Sequence, residues 1–156
     1  MANSVCEVLL TRDPLTETKS ETAAGAGAIV EFAGVVRELE NEREIAGIEY
    51  EAHIPMAEHQ LRLIAQQAVA TFGLECVLIQ HRYGFVAVGE ASLWLRVAAA
   101  HRAPAFEASK WIVDELKQRV PIWKRPRFKI DSRTVRTPRR GVQSAQRADP
   151  TTVTAS

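Results

Sequence analysis

The N-terminal half of the chain alternates between strand-like apolar runs and small or charged connectors. Val5 to Thr11 is typical of a first strand, and a second apolar run follows the small-residue stretch ETAAGAG and ends at Arg37. Charged residues from Glu38 to Glu44 then break the pattern. Apolar and polar residues alternate over Ile45 to Ile54, which predicts a third strand with one solvent-exposed face. We expect this third strand to pair with the second.

Helical spacing replaces alternation in two segments. From Pro55, apolar residues recur at steps of three and four as far as Phe72, and Gly73 supplies a stop. Pro104 opens a second helix, and Pro121 closes it because the residue before a proline is pushed out of the helical region. Three further strands are predicted, the first two as a hairpin with a long loop, at residues 75–83, 91–100 and 123–130.

The order of these elements predicts one α+β domain over residues 1–130, with two main helices packed on a mostly antiparallel sheet. A length of 156 residues, 46% of them hydrophobic, is ordinary for one domain with a core. Residues 131–156 contain almost no large apolar side chain, so we expect a disordered basic tail. The sequence shows neither an apolar run long enough for a membrane span nor a signal-peptide pattern, which predicts a cytoplasmic protein.

Charge is unevenly distributed, although the formal net charge is only +1. Residues 101–140 are rich in Lys and Arg, whereas residues 38–51 are mostly acidic. This polarity indicates an anionic ligand on one side of the molecule.

The histidines and cysteines give no sign of a metal centre. His53, His59 and His81 do not have the spacing of metal ligands, and we predict no metal and no cofactor. Cys6 and Cys76 each lie in an apolar strand-like run. We therefore expect both side chains to be buried as small hydrophobic groups, without a disulfide between them. A disulfide between them is the less favoured alternative, because a reducing compartment opposes it.

Candidate chemistry concentrates around the second helix. His101 and Arg102 precede the helix, where free N–H groups and the helix dipole favour a phosphate. Lys117 and Lys124 flank Pro121, and the bend there can bring both ammonium groups to one pocket, where repulsion favours a neutral amine on one of them. The simpler alternatives are solvated loop and strand-end residues, with Lys117 complementing the helix dipole.

Five blocks of sequence, in their order and spacing, resemble the large subunit of molybdopterin synthase. They are GAIVEFAGVVR at 27–37, YEAHIPMAE at 50–58, HRYGFVAVGE at 81–90, AAHRAPAFEA at 99–108 and LKQRVPIWKR at 116–125. The similarity covers about residues 5–130, and the last two blocks are specific to that family. Pro126 departs from the pattern, because it stands where the family has an acidic residue.

The resemblance implies a sulfurtransferase of molybdenum cofactor biosynthesis, which converts cyclic pyranopterin monophosphate to molybdopterin by inserting two dithiolene sulfurs. It implies that the sulfur comes from the Gly-Gly thiocarboxylate of a small ubiquitin-like sulfur-carrier subunit. An α/β-hammerhead fold and a homodimer within a heterotetramer are also implied. Carried over by position, Lys117 and Lys124 are the catalytic residues, and the substrate-binding residues are Val35, Val36, Arg37, His101, Arg102, Lys117, Lys124, Arg125 and Pro126.

Three other functions compete with this interpretation. A nucleic-acid-binding α+β domain could use the basic segment 102–140, with Trp123 or Phe128 stacking on bases. Only 6% of residues are aromatic and the net charge is near zero, so we predict no nucleic-acid partner. An acylphosphatase-like hydrolase would turn over without a protein partner. A family member that has lost catalysis is disfavoured by the presence of both Lys117 and Lys124.

Overall fold

The computed structural model describes residues 5–17 and 24–130, which form an α+β domain with two helices. Its elements in chain order are β1 (Val5–Thr11), β2 (Ala28–Val35), β3 (Leu39–Glu40), β4 (Arg43–Ala52), α1 (Ile54–Phe72), β5 (Cys76–Arg82), β6 (Gly84–Ala87), β7 (Ala91–Ala99), α2 (Arg102–Arg119) and β8 (Ile122–Phe128). The predicted α+β class is therefore confirmed. The predicted tail at 131–156 lies outside the described residues, and the domain boundary at residue 130 stays a prediction.

The larger sheet, called here the first sheet, has the strand order β1-β5-β7-β2. β1 and β5 run parallel, whereas β5 pairs with β7 and β7 with β2 in antiparallel fashion. Alternate side chains of β5 and β7, such as Ile79 and Leu95, are fully buried with Ile64 of α1 and Ile112 of α2. The two helices thus share one apolar core with this sheet.

The helix ends lie close to the positions that the sequence predicts. α1 ends at Phe72, and Gly73 adopts a left-handed φ of 64° while its N–H donates to the Val69 carbonyl. At the end of α2 the N–H of Val120 donates to the Leu116 carbonyl, and Pro121 follows. The chain therefore turns sharply between α2 and β8.

The second sheet has the strand order β3-β4-β6, and β8 also pairs with β4. β3 and β4 are joined by the two residues Asn41 and Glu42, which both have positive φ, as a tight hairpin turn requires. Beneath this sheet lies a smaller apolar cluster of buried side chains, which are Val36, Ile45, Ile48, Tyr50 and Val86.

The expected pairing of the third predicted strand with the second is wrong. β4 pairs with β3, β6 and β8 and not with β2. The reason is a register shift between Gly34 and Val35, after which Val36 exchanges backbone hydrogen bonds with the segment before β7. After the shift, Val35 still pairs with Ala91, and β2 keeps β7 and the segment before it, not β4, as its neighbour. The short strands β3 and β6, which the hydrophobic pattern does not reveal, provide β4 with partners.

The expected burial of both cysteines is also wrong. Cys6 is exposed and Cys76 is half-buried, and both thiols are free. Cys6 lies on β1, whose described pairing is with β5 alone, at an edge of the first sheet. An apolar sequence around a cysteine does not bury it when its strand has a neighbour on one side only.

Candidate functional site

A cavity of about 580 Å³ lies where the last turn of α2 meets the second sheet. Its apolar wall includes Leu93 and Leu116 from the large core and Ile48 from the smaller cluster. Its polar and charged lining residues are Arg37, Glu40, Tyr50, His81, Ser92, Lys117 and Lys124. Three cations facing one carboxylate make this cavity suited to an anionic ligand.

Lys117 and Lys124 both line this cavity. Lys117 lies in the last turn of α2, and Lys124 lies on β8 directly opposite Tyr50 of β4. Residues paired in this way project to the same face of a sheet, so Lys124 and Tyr50 point toward the cavity together. The turn at Pro121 places the two lysines as the sequence suggested, while their catalytic role stays a prediction.

Val35, Val36 and Arg37 reach the cavity because β2 ends beside it. The N–H of Val36 donates to the Glu90 carbonyl, and its own carbonyl accepts from the N–H of Gly89. The side chain of Val36 is also buried. Burial and these two hydrogen bonds together hold the backbone that carries the Arg37 side chain. These three positions are the part of the predicted binding set that β2 supplies.

His101 and Arg102 do not lie in the cavity. They occupy the N-terminal end of α2, whose 18 residues span about 27 Å, whereas Lys117 lies at the opposite end. Both side chains are exposed, and His101 makes no capping hydrogen bond to the helix. Within one chain, the predicted phosphate corner and the two lysines are therefore separate.

Arg125 and Pro126 are on β8 but are not among the residues that line the cavity. Arg125 follows Lys124, so its side chain projects to the opposite face of the strand. There its guanidinium pairs with the Glu51 carboxylate at 3.1 Å. Pro126 lies opposite Ile48, and the described pairing of β8 is with β4 alone, which tolerates the missing N–H. Binding by these two residues stays a prediction.

Polar groups in the depth of the cavity form a network that the sequence did not point to. The Tyr50 hydroxyl donates to Ser92 Oγ at 3.1 Å, and Ser92 Oγ lies 3.4 Å from the Gly34 carbonyl oxygen. The rings of Tyr50 and His81 pack at an interplanar angle of 74°, with centroids 5.6 Å apart. Burial raises the pKa of Tyr50. These residues come from separate strands, so no local motif marks them.

His81 is only 5% exposed, and burial lowers the pKa of its imidazole to about 4. A backbone hydrogen bond to Arg82 works against this shift, whereas the positive charge of Lys124 adds to it. The ring is therefore neutral near pH 7. The only signal in the sequence is a histidine between Gln80 and Arg82 at the end of an apolar strand, which does not separate a core residue from a site residue.

Part of the segment invoked for nucleic-acid binding is occupied by internal contacts. The guanidinium of Arg43 lies 4.1 Å from the centroid of the Phe128 ring and covers one face of it. Trp123 remains 56% exposed. Residues 131–140, which carry a share of the basic charge, lie outside the described residues.

The described part of the chain shows neither a metal site nor a membrane-spanning helix. It contains no group of three or more His, Cys, Asp or Glu side chains placed to hold a metal ion. None of its helices has the length and apolar character needed to cross a membrane. The predicted cytoplasmic location stays a prediction.

The fold and the cavity define an α+β protein with a cationic cavity that is suited to an anionic ligand. The MoaE protein family matches residues 10–119, a range that includes Lys117 and stops short of Lys124. The molybdopterin synthase catalytic subunit of Emericella nidulans is 36% identical over 118 residues, which cover 76% of this chain. The chain belongs to the MoaE family.

Solved structures agree with this assignment. Molybdopterin synthase from Staphylococcus aureus superposes with a TM-score of 0.72 at 29% identity, covering 80% of this chain and 92% of that one. A complex of subunits 1 and 2 of the molybdopterin-converting factor from Helicobacter pylori contains a chain with the same fold, at a TM-score of 0.59 and 19% identity, covering 83% of this chain and 92% of that one. The matched part of the chain spans 60% of the Emericella nidulans relative and 52% of an Arabidopsis thaliana one.

Proposed function

We propose that this chain is the catalytic subunit of a molybdopterin synthase, which converts cyclic pyranopterin monophosphate to molybdopterin. The observation that carries the proposal is the convergence of Arg37, Lys117 and Lys124 on one cavity within the MoaE fold. A phosphate-bearing substrate needs such charge, and the apolar wall formed by Ile48 and Leu93 suits a flat heterocycle.

The sulfur donor that we propose is the thiocarboxylated C-terminus of a small partner subunit. The Helicobacter pylori neighbour, solved as a complex of two subunits, supports such a partner. For each sulfur transferred, the thiocarboxylate sulfur bonds to a substrate carbon, and the oxygen group on that carbon leaves as its C–O bond breaks. The acyl C–S bond is then broken by hydrolysis. Water supplies the oxygen with which the partner regains a carboxylate. Two loaded partner molecules are consumed for each product.

In this proposal Lys117 lies nearest the partner's terminal glycine. It is exposed in the last turn of α2, so an incoming chain end can reach it. Its ammonium stabilises the oxyanion that develops as the acyl carbon is attacked. Arg37 and Lys124, which line the same cavity, hold the phosphate and the pterin oxygens.

We also propose that the protein acts as a homodimer within a heterotetramer, and that a second copy brings His101 and Arg102 to the site. The motivation is the distance from Arg102 to Lys117, about 22 Å along α2, which one chain does not bridge. Mixing an Arg102→Ala chain with a Lys117→Ala chain tests this. Mixed dimers should regain part of the activity, and two inactive variants that never complement each other would oppose the idea.

The direct test of the proposed function is conversion of cyclic pyranopterin monophosphate by the wild type with its thiocarboxylated partner. Lys117→Ala should lower the turnover number by about 100-fold to 1,000-fold, because one group that stabilises transition-state charge is lost. Lys110→Ala is the matched control, since Lys110 lies on the same helix, is exposed and pairs only with Asp114 among the described residues. A wild type that is inactive with a cognate, loaded partner sinks the proposal.

A further inference from the structure

Among the cavity residues, His81 is buried and has one ring nitrogen for which the described residues provide no hydrogen-bond partner. Its Nδ1 lies 2.9 Å from the Arg82 carbonyl oxygen. A carbonyl oxygen only accepts, so Nδ1 carries the proton and the neutral ring leaves a lone pair on Nε2. The backbone therefore fixes the tautomer of His81.

The Nε2 atom is open to the cavity. His81 lines that cavity, and none of the hydrogen bonds in the described residues uses Nε2. Every fully buried side-chain nitrogen or oxygen in the described residues has a hydrogen-bond partner. Since Nε2 has none, it is reachable from the cavity and available to a ligand.

The surroundings keep this acceptor uncharged. The Tyr50 ring packs against the imidazole at 74°, and the positive charge of Lys124, opposite Tyr50 on β8, disfavours protonation of the imidazole. Arg37 and Lys117 add further positive charge to the cavity, and Glu40 is its one carboxylate. Burial and the nearby cation together hold the pKa of His81 at about 4, so Nε2 remains an acceptor at neutral pH.

The cavity therefore offers two kinds of recognition. Arg37, Lys117 and Lys124 only donate hydrogen bonds, which suits the phosphate of a ligand. The amino and ring N–H groups of a pterin need acceptors instead, and a buried polar group left without a partner weakens binding. Among the polar side chains that line the cavity, the hydroxyls of Tyr50 and Ser92 are hydrogen-bonded to each other, which leaves Nε2 of His81 and the carboxylate of Glu40 as acceptors for such donors.

We propose that His81 is a substrate-positioning residue whose Nε2 atom accepts a hydrogen bond from an N–H group of the pterin ring. This inference rests on the proposed function and adds a contact that selects the heterocycle, as distinct from its phosphate. No proton is transferred at His81. Its effect is on the affinity and orientation of the substrate.

Steady-state kinetics with saturating loaded partner and varied cyclic pyranopterin monophosphate test this role. His81→Phe should raise KM by roughly tenfold with little change in kcat, because a ground-state hydrogen bond is lost. His81→Gln, which places an amide near the Nε2 position, should recover most of the loss. His59→Phe, at an exposed histidine of α1 outside the cavity, should leave KM unchanged.

A measurement on the wild type avoids any effect of substitution on folding. In the ¹⁵N NMR spectrum of histidine-labelled protein, Nε2 of His81 should appear as an unprotonated nitrogen and shift upfield when the pterin binds. An unmoved resonance, or equal KM values for active wild type and His81→Phe, overturns the inference and leaves the proposed function standing. A wild type inactive with its loaded partner overturns both.

Discussion

The two apolar clusters of this chain differ in size and in what they support. The larger one fills the space between the first sheet and both helices, with Ile64, Ile79 and Leu95 at full burial. The smaller one lies under the second sheet and contains Ile45 and Val86. The cavity opens where the two meet. Ile64, Ile79 and Leu95 do not line the cavity, so substitutions at these positions should lower stability with little effect on ligand binding.

The same substitution in each cluster gives the largest expected effect. Ile64→Ala should lower the free energy of unfolding by about 2–5 kcal/mol, because a fully buried side chain is replaced by a cavity. Ile45→Ala should fall near the lower end of that range, about 2 kcal/mol, since a small cluster relaxes more easily. Urea unfolding checks both. Ile45→Ala should also raise KM. A rise in KM for Ile64→Ala and none for Ile45→Ala would contradict this difference between the two clusters.

The pH dependence of stability should expose the buried histidine. The pKa of His81 is lowered to about 4 in the folded chain, so between pH 6.5 and 4 the unfolded chain binds the extra proton. Stability is therefore full above pH 6.5 and falls as the pH is lowered toward 4, by up to about 3 kcal/mol from this group. Urea unfolding of wild type and His81→Phe at pH 7 and pH 4.5 measures the contribution of His81 to this loss of stability. Equal losses in both proteins would refute the assignment.

A smaller effect should follow from removing one hydroxyl in the cavity. Tyr50→Phe deletes the hydrogen bond to Ser92 Oγ and should cost about 0.5–1.5 kcal/mol of unfolding free energy. Tyr83→Phe is the control, because the structure describes no hydrogen bond of its hydroxyl and its ring lies under Arg12. Thermal unfolding of the two variants checks this, and equal melting temperatures would show that the network does not stabilise the site.

Much of the fold follows from local pattern, because helix spacing and stop signals act over a few residues. Gly73 and Pro121 end the helices where the sequence predicts. The partners of β4 were not predictable, since strand pairing depends on contacts far apart in the chain and on the irregularity after Gly34. β3 is too short to produce a hydrophobic period.

The part of the candidate site that the bend at Pro121 creates was predictable from the sequence. The buried polar residues at the bottom of the cavity were not. The position of Pro121 indicated that Lys117 and Lys124 could share a pocket. Lys117 lies at one end of α2, and His101 and Arg102 lie at the other end. The length of the predicted helix already implied this separation. The meeting of Tyr50, His81 and Ser92 arises from three strands and carries no sequence signal.

The most direct test of the central claim, that this cavity binds the phosphate-bearing pterin, is equilibrium binding of cyclic pyranopterin monophosphate by calorimetry. Lys124→Ala should weaken binding by about tenfold or more, because a charge-assisted contact is removed. Lys129→Ala is the matched control, just beyond β8, where its ammonium lies 3.7 Å from Glu44. Lys129→Ala should bind the ligand with the affinity of the wild type. Equal affinities of wild type and Lys124→Ala would contradict it.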